Sequence, residues 1–191
     1  MKQFFCILTL LFCATFGNAA EKKASTPDSQ SSNYKFELRT APIAFIAKWT
    51  TIDISYFINE HWAIGPSYIR YGASGPYGNM FLPTWDGYAI GGHFILAENL
   101  QTTGYYLATH IYSENYKSYP EAYLGYYKRV GTSVIVTVGE RWVSGNFTTQ
   151  LGAGFEGTSY DITKTPDTGS PTEYTDSGTG FTIEFKMGLM F

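Results

Sequence analysis

Residues 181–191 (FTIEFKMGLMF) set Phe181, Ile183, Phe185, Met187, Leu189 and Phe191 on one face of an extended strand, with Thr182, Glu184, Lys186 and Gly188 on the other. Seven further segments alternate with the same period of two. Residues 34–44 put Phe36, Leu38 and Thr40 opposite Glu37 and Arg39, and Pro42 marks the end. Residues 50–58 put Ile52, Ile54, Tyr56 and Ile58 opposite Asp53, Ser55 and Phe57. In 62–71, 86–96 and 103–111, bulky Ile64, Tyr68, Ile90, Phe94, Tyr105 and Leu107 oppose Ala63, Ser67, Ala89, His93, Ala108 and His110. In 133–143, Val136, Val138 and Trp142 oppose Thr137, Gly139 and Arg141. In 147–157, Phe147, Leu151 and Phe155 oppose Thr148, Gln150 and Glu156. Such a contrast, bulky on one side and small or polar on the other, predicts strands with an apolar outer face and a polar inner one.

Short turns at 59–61, 97–102 and 144–146 alternate with longer connections at 72–85, 112–132 and 158–179; 45–49 is brief. Eight strands with loops sorted by length predict an all-β fold, an eight-stranded antiparallel up-and-down transmembrane β-barrel, with the short turns periplasmic. A soluble sandwich also alternates, but it has no reason to sort its loops. Residues 119–129 alternate as well. They read as part of a hairpin rising above the membrane and joined to the next strand through 130–132, since a ninth strand would break the even count.

The N-terminus carries Lys2, an apolar run to Phe16 and the small residues Gly17 to Ala20, followed by Glu21-Lys22-Lys23. This order predicts a cleaved secretory signal at 1–20, a flexible polar periplasmic leader at 21–33 and the barrel at 34–191. The expected location is the outer membrane of a Gram-negative bacterium, reached by Sec export. Both cysteines, Cys6 and Cys13, lie in the signal, so no disulfide or thiolate metal site is expected in the mature chain. After Ala20 no apolar run reaches the length of a helical span, so insertion must be by strands. Without Lys2 the chain has 12 basic against 16 acidic residues and no basic cluster, which argues against nucleic acid as a partner. The 16 Tyr and 14 Phe suit interfacial aromatic girdles.

The NEHWAIGP turn and strand, the VTVGERWV-SGN-FTTQLGAGFEG hairpin and the aromatic C-terminus resemble small eight-stranded outer-membrane barrels of the OmpX/OmpA transmembrane type. The resemblance spans nearly all of the mature chain. It implies outer-membrane lipids as surroundings and the barrel-assembly machinery as a partner during biogenesis, with Phe191 as part of the assembly signal.

Inward phase collects Glu37, Asp53, Glu156 and Glu184 with Arg39, Arg141 and Lys186. Charges in a narrow cylinder must pair, because an unpaired buried charge is costly. Two uses follow: a structural plug, which an eight-strand interior is just wide enough to hold, or a narrow ion or small-solute channel. His93 and His110 share the inward phase but lack nearby spacing that supplies further ligands, so neither a metal site nor a cofactor is expected. Outer-membrane lipid A deacylases and palmitoyltransferases use similar barrels. Here Ser113 lies three residues from His110, on the opposite strand face, and 21–33 is too polar for an amphipathic helix, so no catalytic residue is assigned. Tyr77, Phe81 and Trp85 in 72–85, and Tyr112, Tyr116 and Tyr119 beyond, read as girdle residues or as loop contacts for a surface ligand. Residues 161–178 read as a solvated, mobile loop. The expected role is structural or interactive at the cell surface.

Overall fold

The computed structural model describes residues 34–42, 49–72, 84–119 and 125–191. Its elements in chain order are β1 (Phe36–Thr40), β2 (Trp49–Phe57), β3 (Trp62–Tyr71), β4 (Thr84–Ala97), β5 (Gly104–Tyr119), β6 (Gly125–Ser144), β7 (Phe147–Pro166) and β8 (Thr172–Met190). Each strand pairs antiparallel with its sequence neighbour and β1 closes on β8, so the order around the closed barrel is the order along the chain. Antiparallel neighbours need only short connections. The tightest is at Gly145, whose φ of 63° lets Ser144 pair directly with Phe147 through a two-residue turn.

The closing seam is short, running from Glu37 opposite Met190 to Thr40 opposite Met187. Phe191 extends it: its carbonyl accepts from the Lys35 and Phe36 amides at 3.1 and 3.0 Å, and its own amide donates to the Phe36 carbonyl at 3.0 Å. The Phe191 ring stacks against Phe36 at 6.2 Å.

The in-and-out phase of all eight strands is the predicted one. Outward Ile54, Ile64, Ile90, Ile111, Val138 and Ile183 are exposed, whereas inward Glu37, Arg39, Asp53, His93, His110 and Arg141 are buried. The exposed residues form a continuous apolar belt edged by aromatic pairs. Phe36 with Tyr56 and Trp62 with Phe94 lie toward the short-turn rim, and Phe155 with Phe181 toward the other.

Several expectations about the loops are corrected. β5 continues to Tyr119 and β6 begins at Gly125, so residues 112–132 are mostly paired strand, with the connection confined to 120–124. Residues 125–129 open β6, and no ninth strand arises from them. Likewise 161–178 is no loose loop: β7 runs to Pro166 and β8 starts at Thr172, leaving 167–171 as the turn. Trp85 belongs to β4, where it pairs in register with Ser118. Tyr112 and Tyr116 point into the barrel and are buried, which excludes them from an outer girdle. Tyr77 and Phe81 lie outside the described residues, as do the signal and the leader.

Above the belt the pattern inverts on β3, β4, β5 and β7. Arg70, Asp86, Ser113 and Asp161 face outward, while their neighbours Tyr71, Trp85, Tyr112 and Tyr160 face inward. Arg70 and Asp86 pair across β3 and β4 at 3.0 Å, both nearly half exposed. Below this line the wall is apolar outside and encloses the buried charges, with an apolar cluster at the short-turn end. Above it these four strands have the polar-out, aromatic-in order of a protein surrounded by water, while β6 keeps Val130 outward and Glu114 is buried among the inward rings. β5 to β8, at 16, 20, 20 and 19 residues, rise well past the inversion.

Candidate functional site: a charge-balanced plug in the barrel

The inner face is layered. Near the short-turn rim, Phe57, Ala63, Ile95, Ala97, Tyr106 and Met190 pack around Leu100 as an apolar floor. Leu100 comes from the β4–β5 turn, which the sequence marks only as a short polar connection. Its amide donates to the Glu60 carbonyl at 2.7 Å, which folds the turn back under the barrel. At the other end Tyr71, Ala89, Tyr112, Tyr116, Tyr160 and Ile162 form an aromatic roof, with Trp85 stacked on Tyr116 at 5.2 Å. Glu114 is held there by hydroxyls, accepting from Ser133 Oγ, from Tyr160 OH at 2.9 Å and from Tyr71 OH at 3.4 Å.

Between floor and roof the charges alternate in one chain. Arg141 Nη1 donates to both Glu37 oxygens, at 3.0 and 3.1 Å. Glu37 lies 3.8 Å from Arg39 Nε, and Arg39 Nη2 lies 3.6 Å from Asp53 Oδ2. Lys186 Nζ is 2.7 Å from Asp53 and 3.0 Å from Glu184. The sequence is therefore +, −, +, −, +, −, with three bases against three acids. Six of the seven residues expected to form a lumen network are brought together. Glu156 is the exception: it is only partly buried and makes no ion pair among the described residues. The roof residue Glu114, buried at 4 % exposure, was not singled out from the sequence because it falls in the stretch read as a loop.

Neutral hydroxyls and amides complete the layer. Thr148 donates to Glu37, Arg39 Nη1 donates to Gln150 Oε1 at 2.8 Å and Tyr106 OH donates to Glu184 Oε1 at 3.0 Å. His93 is clamped between Ser55 and Ser67, each hydroxyl 2.8 Å from a ring nitrogen. His110 Nε2 faces the Lys186 ammonium at 3.0 Å and Nδ1 faces Tyr112 OH at 3.2 Å. His110 Nε2 also lies 3.2 Å from Glu184 Oε2, so the ammonium and the carboxylate meet at this ring nitrogen.

The expectation that no further ligand converges on the two histidines is corrected. β2 brings Asp53 to them, and ligand atoms of Asp53, His93 and His110 all lie within 4.8 Å of one another. His110 is buried, and Ser113 lies exposed on the opposite face of β5, as the strand phase requires.

The plug fits closely enough that Gly188 has a strict role. A Cβ there would fall 2.6 Å from Arg39 Cγ, 2.7 Å from Thr148 Oγ1 and 2.8 Å from Glu37 Oε1. Gly188→Val is expected to cost about 1–3 kcal/mol, the usual range for overpacking, and to lower the thermal unfolding midpoint of the refolded protein. A variant as heat-resistant as the parent would show that Arg39 does not lie against β8.

No protein-family model, no curated protein and no solved structure matches this chain.

Proposed function

We propose that the chain is an integral outer-membrane β-barrel with a plugged lumen, acting structurally or by contact with a surface ligand through the wall that rises above its apolar belt. The inversion of polarity along single strands carries this reading. A soluble sandwich meets water along its whole outer face, so it gives no reason for apolar residues to point outward on one half of a strand and inward on the other.

The belt has the right height. From Phe181 on β8 it runs to Phe191, one residue past the strand's end; ten steps of about 3.3 Å give about 33 Å along the chain. At a tilt of about 40° this is about 25 Å of height, the apolar band of outer-membrane barrels. Mobility of the outer-membrane fraction on a gel, with and without boiling, tests the assignment. A heat-dependent shift in that fraction is expected. Recovery from the periplasm or medium without a shift would overturn it.

The layered lumen favours a plug over a channel, since an ion would have to part both the Leu100 floor and the Tyr71–Tyr116 roof. Planar bilayers containing the refolded protein should therefore be silent. Discrete conductance steps altered by neutralising Arg141 or Glu184 would replace this reading with the channel.

Phe191 serves assembly as well as the seam in this reading. Its three seam hydrogen bonds are all backbone. Phe191→Ala thus loses only ring contacts, about 0.5–1.5 kcal/mol for the aromatic pair. The variant is expected to refold in detergent yet be depleted from the outer membrane of expressing cells. Equal loss, or equal retention, in both settings would remove the assembly role.

A further inference from the structure

The centre of the plug is built like a metal site whose ion belongs to the protein. Lys186 Nζ sits among Asp53 Oδ2 at 2.7 Å, Glu184 Oε2 at 3.0 Å and His110 Nε2 at 3.0 Å. These three groups come from β2, β8 and β5, and His93 on β4 stands beside them with its ring 5.5 Å from that of His110. Asp53 Oδ2 is buried and makes its contacts as ion pairs without a well-directed hydrogen bond. It is held by charge more than by a donor of fixed direction, as a metal ligand would be.

We infer that Asp53, Glu184, His110 and His93 form a transition-metal-type cation site in which the Lys186 ammonium is the resident ion, so that the chain binds zinc at this point once that ammonium is removed. The donor set supports the choice of metal. Two imidazoles and two carboxylates suit Zn²⁺, whereas Mg²⁺ and Ca²⁺ prefer oxygen donors alone. The supporting contacts suit it too. Tyr112 OH at His110 Nδ1 and a serine on each nitrogen of His93 fix the rings as outer-shell partners do. His93 has to exchange one serine contact for the metal. Removing Lys186 also leaves Asp53 and Glu184 without the cation they share, and a divalent ion brings two positive charges to these two carboxylates. None of this depends on whether lipid or water surrounds the barrel.

The chain has three histidines, and His61 with Glu60 makes an exposed pair at 3.3 Å that could hold zinc on its own. All variants are therefore made on His61→Gln. The chain is refolded into detergent, and ZnCl₂ affinity is read by calorimetry. CoCl₂ provides a second readout through its visible absorption in tetrahedral N,O surroundings. Lys186→Ala is expected to bind zinc roughly 100-fold more tightly than the Lys186 parent. Adding Asp53→Asn or His110→Gln should weaken this by more than the 10–100-fold typical of outer-shell changes.

Equal zinc affinity with and without Lys186 would overturn the inference. So would affinity in Lys186→Ala that is insensitive to Asp53 and His110. If Lys186→Ala refolds only with ZnCl₂ present and not with MgCl₂, the inference is upheld. If zinc does not rescue it while Lys186→Met refolds, the site does not accept a metal and the inference fails. It also fails if neither variant refolds with or without zinc, since the plug would then need the amine itself.

Discussion

Arg141→Ala is expected to destabilise the folded barrel by about 3–5 kcal/mol, the cost of leaving one member of a buried ion pair without its partner. Both Arg141 and Glu37 are fully buried, and among the described residues Arg141 makes the only short ionic contacts to Glu37. Without it Glu37 retains the Thr148 hydroxyl and the 3.8 Å contact to Arg39. The loss reaches further, because Arg141 Nε also donates to the Leu100 carbonyl at 3.0 Å and so ties the floor to the charged layer. Urea unfolding in detergent, followed by tryptophan fluorescence, measures the effect. Replacing both partners by methionine should cost less than the two single changes added together, by more than about 1 kcal/mol, since residues within one network couple by about 0.5–3 kcal/mol. A single-variant loss under about 0.5 kcal/mol would mean that water already solvates Glu37, and the plug would have to be redrawn as a wet lumen.

The second large effect lies on the outer face. Arginine placed singly at Phe181, Ile183, Phe185, Met187 and Leu189 should destabilise the barrel in lipid vesicles by about 2–4 kcal/mol near the middle of the series and by about 0–1 kcal/mol at its ends. These positions share the outward face of β8, and Phe181, Ile183 and Leu189 are 67 %, 69 % and 49 % exposed. In water, an arginine replacing an exposed apolar side chain would cost little at any of them. A peaked profile therefore reports hydrocarbon around the belt, and Ile54→Arg on β2 extends the test to the opposite side of the seam. A flat profile in vesicles, with folding retained, would sink the membrane reading while leaving the plug as it is.

How far the residues spoke for themselves depends on the range of the interaction. Successive side chains of a strand point to opposite faces, and this is local backbone geometry. The sequence alone therefore determined the strand count and the phase that sends Glu37, Arg39, Asp53, Arg141, Glu184 and Lys186 inward. It determined less above the belt. From Tyr112 and Ser113 onward on β5 the aromatic residues lie on the inner face and polar ones outside, so the outward-apolar signal that marks the strand below disappears. Long strands there resemble loops, and Glu114 and the aromatic roof went unseen.

Only the tertiary structure decided which charges meet. Arg141 and Glu37 are 104 residues apart, and Lys186 and His110 are 76 apart. Closing the ring with a particular stagger sets the height of each inward residue against all the others. That stagger brings Asp53, His110 and Glu184 around one ammonium and leaves Glu156 outside the chain of pairs. It is a property of eight registers acting together, and no single segment carries it.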